Sequence, residues 1–127
     1  MSHYSRLSTV VVDVPEPDHS RELNFWRAAV GQPFPQVTGQ PDYHWAQLHG
    51  QQAWMLVQRT SEGPARSHLD IHTDDLEAEV ARLEALGAQR VEKIQDWWVM
   101  RDPVGLPFCV VPGPPGSLTE ENAQRWD

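Results

Sequence analysis

The alternation of apolar and polar positions divides the chain into a series of short elements that repeats once. Leu7–Val14 (LSTVVVDV) is dominated by β-branched residues, with polar atoms at Ser8, Thr9 and Asp13, and predicts a strand. Pro15-Glu-Pro-Asp18 interrupts it, because proline cannot continue a central ladder. Asp18 or Ser20 then caps a helix running to Val30, in which Leu23, Trp26 and Val30 recur on one face. Gly31 and Pro33 end that helix. Short strands follow at Gln36–Thr38, Tyr43–Leu48 and Gln52–Gln58, separated by Gly39-Gln-Pro41 and His49-Gly50. The polar stretch Arg59–Arg66, with its Gly-Pro pair, reads as a linker.

The second half opens on Ser67-His-Leu-Asp-Ile-His-Thr73, which alternates polar and apolar as a half-buried strand does. Asp74 or Asp75 caps a helix whose Leu76, Val80, Leu83 and Leu86 form one stripe, and Asp74 with Glu77 makes a pair like a capping box. Gly87 supplies the left-handed residue after it. Strands are expected at Gln89–Ile94, Trp97–Arg101 and Phe108–Val111, the last two joined by the tight turn Asp102-Pro-Val-Gly105. In the Pro/Gly-rich tail, Ser117 with Glu120 suggests a short final helix. The two halves therefore share a βαβββ pattern, Thr9 aligning with His68 and Gly31 with Gly87; the extra Pro-Glu-Pro of the first half absorbs the difference in offset.

Composition narrows what such a chain does. Its 127 residues fit a single domain, and a hydrophobic content of 39% suffices for one core. With 10 Lys+Arg against 18 Asp+Glu the net charge is −8, which disfavours nucleic-acid backbones and anionic membranes and suits a cationic guest. No apolar run is long enough to span a bilayer, and the first residues lack the apolar core of a secretory signal, so a cytoplasmic location is expected. A single cysteine, Cys109, excludes an internal disulfide. Six tryptophans either fill a small core or line a cavity in which a planar ligand stacks.

Phe25-Trp26 through Gly31, His68-Leu-Asp-Ile-His-Thr-Asp-Asp-Leu76, Arg82-Leu-Glu-Ala-Leu-Gly-Ala88 and Asp102-Pro-Val-Gly-Leu-Pro-Phe-Cys109 stand in an order and spacing that resembles the vicinal-oxygen-chelate superfamily (glyoxalase, bleomycin-resistance and extradiol-dioxygenase proteins), in particular its small glyoxalase-like members. The resemblance spans about residues 7–111. It implies an α+β fold of two βαβββ modules, a mostly antiparallel cup-shaped sheet with the helices outside and a ligand inside. One glyoxalase-like domain is then expected over 1–127: module one at 5–58, a linker at 59–66, module two at 67–112 and a tail at 113–127. It also implies a homodimer.

Within that frame alternation assigns faces. Val10, Val12 and Val14 pack on the first helix, leaving Thr9, Val11 and Asp13 inside; Leu69 and Ile71 pack on the second, leaving His68, Asp70 and His72 inside. Metal-dependent relatives place ligands on the first and last strand of each module, positions held here by Thr9, Trp54, His68 and Cys109. Only His68 matches the expected His, Gln or Glu. Threonine is a poor ligand, tryptophan cannot ligate, and a cysteine thiolate suits zinc or copper better than an oxygen-rich site. No cofactor is therefore expected, a divalent metal at His68 standing as the alternative.

Three functions follow. The favoured one is a metal-free cup that binds a small aromatic organic molecule, lined by Thr9, Val11, Asp13, Trp54, His68, His72, Cys109 and one of Trp97 and Trp98. The second is a metal-dependent lyase, isomerase or dioxygenase with an irregular site at His68. The third is a metal-free enzyme in which His68 and Asp70 transfer a proton; as a general base His68 has Asp70 or Asp13 as a pairing partner. Cys109 reads as structural, His3, His19, His44 and His49 as solvated, Trp26 as core, and Glu77, Glu79 and Glu84 as a solvated helix face.

Overall fold

The computed structural model describes residues 2–48 and 53–127, so His49, the His49-Gly50 turn and the expected strand start at Gln52 lie outside the described residues. The remainder forms an α+β fold of two helices and a mixed, open sheet. The element order is β1 (His3–Pro15), α1 (Glu16–Val30), β2 (Gln36–Val37), β3 (Gln40–Gln47), β4 (Trp54–Thr60), β5 (Arg66–Thr73), α2 (Leu76–Ala85), β6 (Gln89–Ile94), β7 (Trp97–Arg101), β8 (Pro107–Pro112) and β9 (Gln124–Trp126). The βαβββ pattern is thus traced twice. The chain divides into two compact units: Thr9–His68, and the start of the chain through Ser8 together with Leu69–Asp127. No helix of the described residues is long and apolar enough to cross a membrane.

In the Thr9–His68 unit the strands run in the order β2-β3-β4-β1, with β4 parallel to β1 and the other pairs antiparallel. Its core joins Val12 and Val14 of β1 to Leu23 of α1, Phe34, Ala46, Met55 and Val57, with Trp26 and Val30 packed against it. Val10 is 39% exposed and outside this cluster: the apolar stripe of β1 ends at Val12. Helix α1 starts at Glu16, before the expected cap at Asp18 or Ser20, and neither residue caps it. Pro17 sits in the first turn, where the missing N–H has no helical partner to lose, so the Pro-Glu-Pro segment opens the helix. Gly31 closes it at φ 72°, its N–H donating to the Arg27 carbonyl.

The other unit repeats the arrangement as β5-β8-β7-β6, again with its first and last strands parallel. Ile71, Leu76, Val80, Leu83, Met100, Phe108 and Val110 make its core. Asp75 caps α2, its carboxylate accepting from the Ala78 N–H, whereas Asp74 accepts from the Tyr4 N–H instead of forming the expected box with Glu77. Leu86 lies past the end of α2 and is exposed. The turn at Asp102 forms as expected: Gly105 N–H donates to the Asp102 carbonyl, and the Asp102 side chain accepts from Val104 and Leu106.

Two features of this unit depart from the sequence reading. The tail forms no helix; Gln124–Trp126 adds instead as strand β9, antiparallel to His3–Ser5. Glu79, expected in solvent, is fully buried. His3 Nε2 lies 2.8 Å from its carboxylate, and Arg82 donates a two-pronged pair at 2.8 Å each. The Arg82 guanidinium lies 3.8 Å over the Trp126 ring, whose Nε1–H donates to Ser5 Oγ. Burial pushes the Glu79 carboxyl up, but hydrogen bonds from Arg82, His3 and Ser5 outweigh it and hold it below the ordinary value. Glu77 and Glu84 do face solvent, both paired with Arg90.

Candidate functional site

The face of the Thr9–His68 unit turned away from α1 carries most of the expected site. Because Val12 and Val14 pack on the helix side, Thr9, Val11 and Asp13 point the other way. All three are buried, and Val11 wholly so, so they form the floor of this face. Met55 and Val57 of β4 likewise belong to the core, which places Trp54, Leu56 and Gln58 on the opposite face. Thr9 is the register partner of Trp54, and Asp13 that of Gln58.

Trp45 on β3 completes this face and was not singled out from the sequence. It pairs with Leu56, and its ring centroid lies 4.1 Å from that of Trp54, tilted by 46°. The signal was available: Ala46 is the buried residue of β3, so Trp45 must point to the other side.

His68 is joined to this floor by one short contact. Its Nδ1 lies 2.7 Å from Asp13 Oδ2; the Asp13 side chain is 3% exposed and that of His68 17%. A carboxylate only accepts, so the pair is satisfied with the proton on Nδ1, which makes Nε2 the basic nitrogen. The Arg66 Nε stands 3.6 Å from the same Asp13 oxygen. Of the two partners weighed for His68, this contact belongs to Asp13.

Asp70 follows His68 by two positions on β5 and so shares its face. It is the register partner of Cys109 on β8, and the ligand atoms of these two lie within 4.8 Å of one another. Asp70, Cys109 and His68 are all half-buried. His72 pairs with Val111 further along; burial lowers its pKa, Asp70 raises it and Arg6 lowers it further. The adjacent tryptophans of β7 separate as alternation requires. Trp98 packs against the core of its unit and its Nε1–H reaches Glu77, so it leaves the expected lining, while Trp97 points to the opposite face.

The histidines expected in solvent are not all there. His3 is buried against Glu79. His19 is buried and His44 half-buried, their ring centroids 5.2 Å apart. Burial lowers the pKa of both, with Arg59 next in effect for His19 and His19 next for His44. Their positions look like turn-flanking polar sites in the sequence, and their burial comes from long-range packing, in which α1 lies against β4 and His19 meets His44 of β3.

The metal set implied by the family resemblance does not fit. Two of its four positions are the register partners Thr9 and Trp54: a weak ligand, and a ring that has no lone pair to give and is packed on Trp45. Of the remaining positions His68 offers an imidazole and Cys109, paired with Asp70, a thiol, a softer set than the oxygen-rich sites of that superfamily.

A family model described as a glyoxalase-like domain matches residues 9–111, and the chain belongs to that family. Its fold is that of the vicinal-oxygen-chelate superfamily. Among solved structures it is similar to methylmalonyl-CoA epimerase from Mycobacterium tuberculosis, with 16% identity and a TM-score of 0.62 over 86% of this chain and 88% of that one. A structure described as NAD-dependent benzaldehyde dehydrogenase from Legionella pneumophila matches with 8% identity and a TM-score of 0.62, over 83% of this chain and 99% of that one. A mutant of 4-hydroxymandelate synthase from Streptomyces coelicolor matches with 12% identity and a TM-score of 0.56, over 89% of this chain and 50% of that one. At these identities the likeness is one of fold. No curated protein sequence matches.

Proposed function

We propose that the face built by Trp45, Trp54, Asp13 and His68 binds a small aromatic organic molecule, and that His68 exchanges a proton with it. The observation that carries this reading is the 2.7 Å contact between His68 Nδ1 and the buried Asp13 carboxylate. A carboxylate held out of water beside Nδ1 fixes the ring's orientation and stabilises the imidazolium that forms when Nε2 takes a proton. The paired indoles, tilted by 46° to one another, supply an apolar aromatic wall on the same face. The epimerase and the synthase above share this fold, which supports an enzymatic role for the face.

The test is a fluorescence titration of the protein with a library of aromatic compounds. Trp54→Ala is expected to weaken binding of every hit at least tenfold. His68→Ala is expected to leave binding within threefold while abolishing solvent-deuterium incorporation into the bound hit. A library without hits, or hits indifferent to Trp54→Ala, would refute the binding face; exchange that survives His68→Ala would refute the proton role.

The pairing of Asp70 with Cys109 on the face that carries His68 favours one second reading, a metal-dependent lyase, isomerase or dioxygenase with a soft-donor site. It requires stoichiometric zinc or copper in protein purified without chelator, lost in His68→Ala and Cys109→Ala. The first reading requires ligand affinity that is unchanged by chelator.

A further inference from the structure

An open groove of about 700 Å³ lies at the end of β4 and start of β5, its lining including Asp42, Gln58, Arg59, Glu62 and Arg66. Gln58 connects it to the aromatic wall. Trp54, Leu56 and Gln58 are alternate residues of one strand and share a face, and Gln58 is the register partner of Asp13. The groove therefore shares Gln58 with the face that carries the Asp13–His68 pair, and Arg66 of its lining approaches Asp13.

The two arginines of the groove differ in what they have left to offer. Arg59 is neutralised twice, 2.8 Å from Glu16 and 2.8 Å from Asp42. Arg66 has one ionic contact among the described residues, the 3.6 Å approach to Asp13, which is too long for a hydrogen bond, and its side chain is 59% exposed. Its planar fork of N–H donors thus lines a groove that shares Gln58 with the face carrying Trp54 and Leu56. Guanidinium donors of this shape match a carboxylate with two parallel hydrogen bonds.

We infer that Arg66 is a specificity-determining residue that binds the carboxylate of an arylalkanoate whose ring lies against Trp45 and Trp54. The inference rests on the aromatic-face reading above and adds the substrate class. Local charge sets the anion. Asp42 is spent on Arg59, so Arg66 faces Glu62 and the Asp13 carboxylate, which tolerates a single added negative charge better than the double charge of a phosphate monoester. The chain's overall −8, which by itself suits a cationic guest, is outweighed here by Arg66, whose ionic contact among the described residues is no closer than 3.6 Å. Strand geometry sets the length. Trp45 opposes Leu56, two residues from Gln58, so a ring over Trp45 stands roughly 7 Å from the groove at a rise of ~3.3 Å per residue. That distance is spanned by a chain of two or three carbons.

The experiment compares 3-phenylpropionate with its uncharged amide by calorimetric or fluorescence titration of the full chain. The wild-type protein is expected to bind the carboxylate at least tenfold tighter than the amide, with the margin shrinking as salt is added. Arg66→Gln, a change at an exposed side chain, is expected to bring the two within twofold and leave the amide unchanged; Arg66→Lys is expected to recover only part of the preference. Equal affinity for acid and amide in the wild type, or a preference that survives Arg66→Gln, overturns the assignment of Arg66 and leaves the aromatic face standing. Failure of both compounds to bind the wild type overturns the arylalkanoate assignment, and a library without hits overturns the aromatic face with it.

Discussion

Replacing Glu79 by alanine removes a fully buried carboxylate around which His3, Arg82 and, through Arg82, Trp126 are organised. Its two oxygens are met by Arg82 through two bonds of 2.8 Å and by His3 through a third, and nothing of the Glu79 side chain reaches water. Breaking a buried ion pair by deleting one partner costs about 3–5 kcal/mol, because the other charge stays in a poor environment. The Arg82 side chain is 24% exposed and can regain some solvent, which places the expected loss at the low end, about 3 kcal/mol. For a chain of this length that corresponds to a fall in melting temperature on the order of 10 °C. Urea denaturation gives the free energy directly. A double-mutant cycle with Arg82→Ala should return a coupling of at least ~1.5 kcal/mol, since each residue is the other's main partner. Trp126→Ala removes only the stacked ring and its bond to Ser5, and should cost about half as much or less. A Glu79→Ala loss below about 1 kcal/mol, with no coupling to Arg82, would refute the claim that this carboxylate holds β1, α2 and β9 together.

Acid stability should show two separate windows. The folded pKa values of His19, His44 and His72 lie below 6.5, so the folded protein holds these rings neutral while the unfolded chain takes up protons. Stability is then constant above about pH 7.5 and falls as the pH drops through 6.5 toward the lower folded values. The Glu79 carboxyl is also lowered, from 4.5, and its contribution is present above 4.5 and lost as the pH falls through its folded value. A urea midpoint that stays level from pH 7.5 to 5.5 would contradict the histidine part. In the other unit Phe34 is fully buried among Leu23, Ala46 and Val57, and Phe34→Ala should cost about 3–5 kcal/mol; a loss under 1 kcal/mol would show that this core is not closed by its ring.

The sequence reading succeeds where a signal is local. Strands β6 and β7 begin and end where alternation and flanking turns place them, and Gly31 terminates α1 with the left-handed backbone that glycine tolerates best. The faces of β1 and β5 follow from period two alone, which is why Asp13 was already a candidate partner for His68. It fails where burial depends on partners far along the chain. Glu79 has the spacing of a solvated helix face, and nothing near it announces His3, which stands 76 residues earlier. The three residues of β9 carry no apolar alternation; they become a strand because Trp126 finds Arg82 and Ser5. Pro15-Glu-Pro reads as a break until the first turn of a helix is recognised as a place where proline is tolerated. At the candidate site the composition announced an excess of tryptophan without saying which rings would meet, and Trp45 met Trp54 only through the pairing of β3 with β4.

The most direct test of the proposed site is a set of crystals of the protein soaked with small aromatic acids. A ring stacked on Trp45 or Trp54, with a polar or acidic atom of the same molecule within hydrogen-bond reach of His68 Nε2, is the predicted result. Aromatic acids that bind only elsewhere, leaving the Asp13–His68 pair and both indoles untouched at saturation, would contradict it.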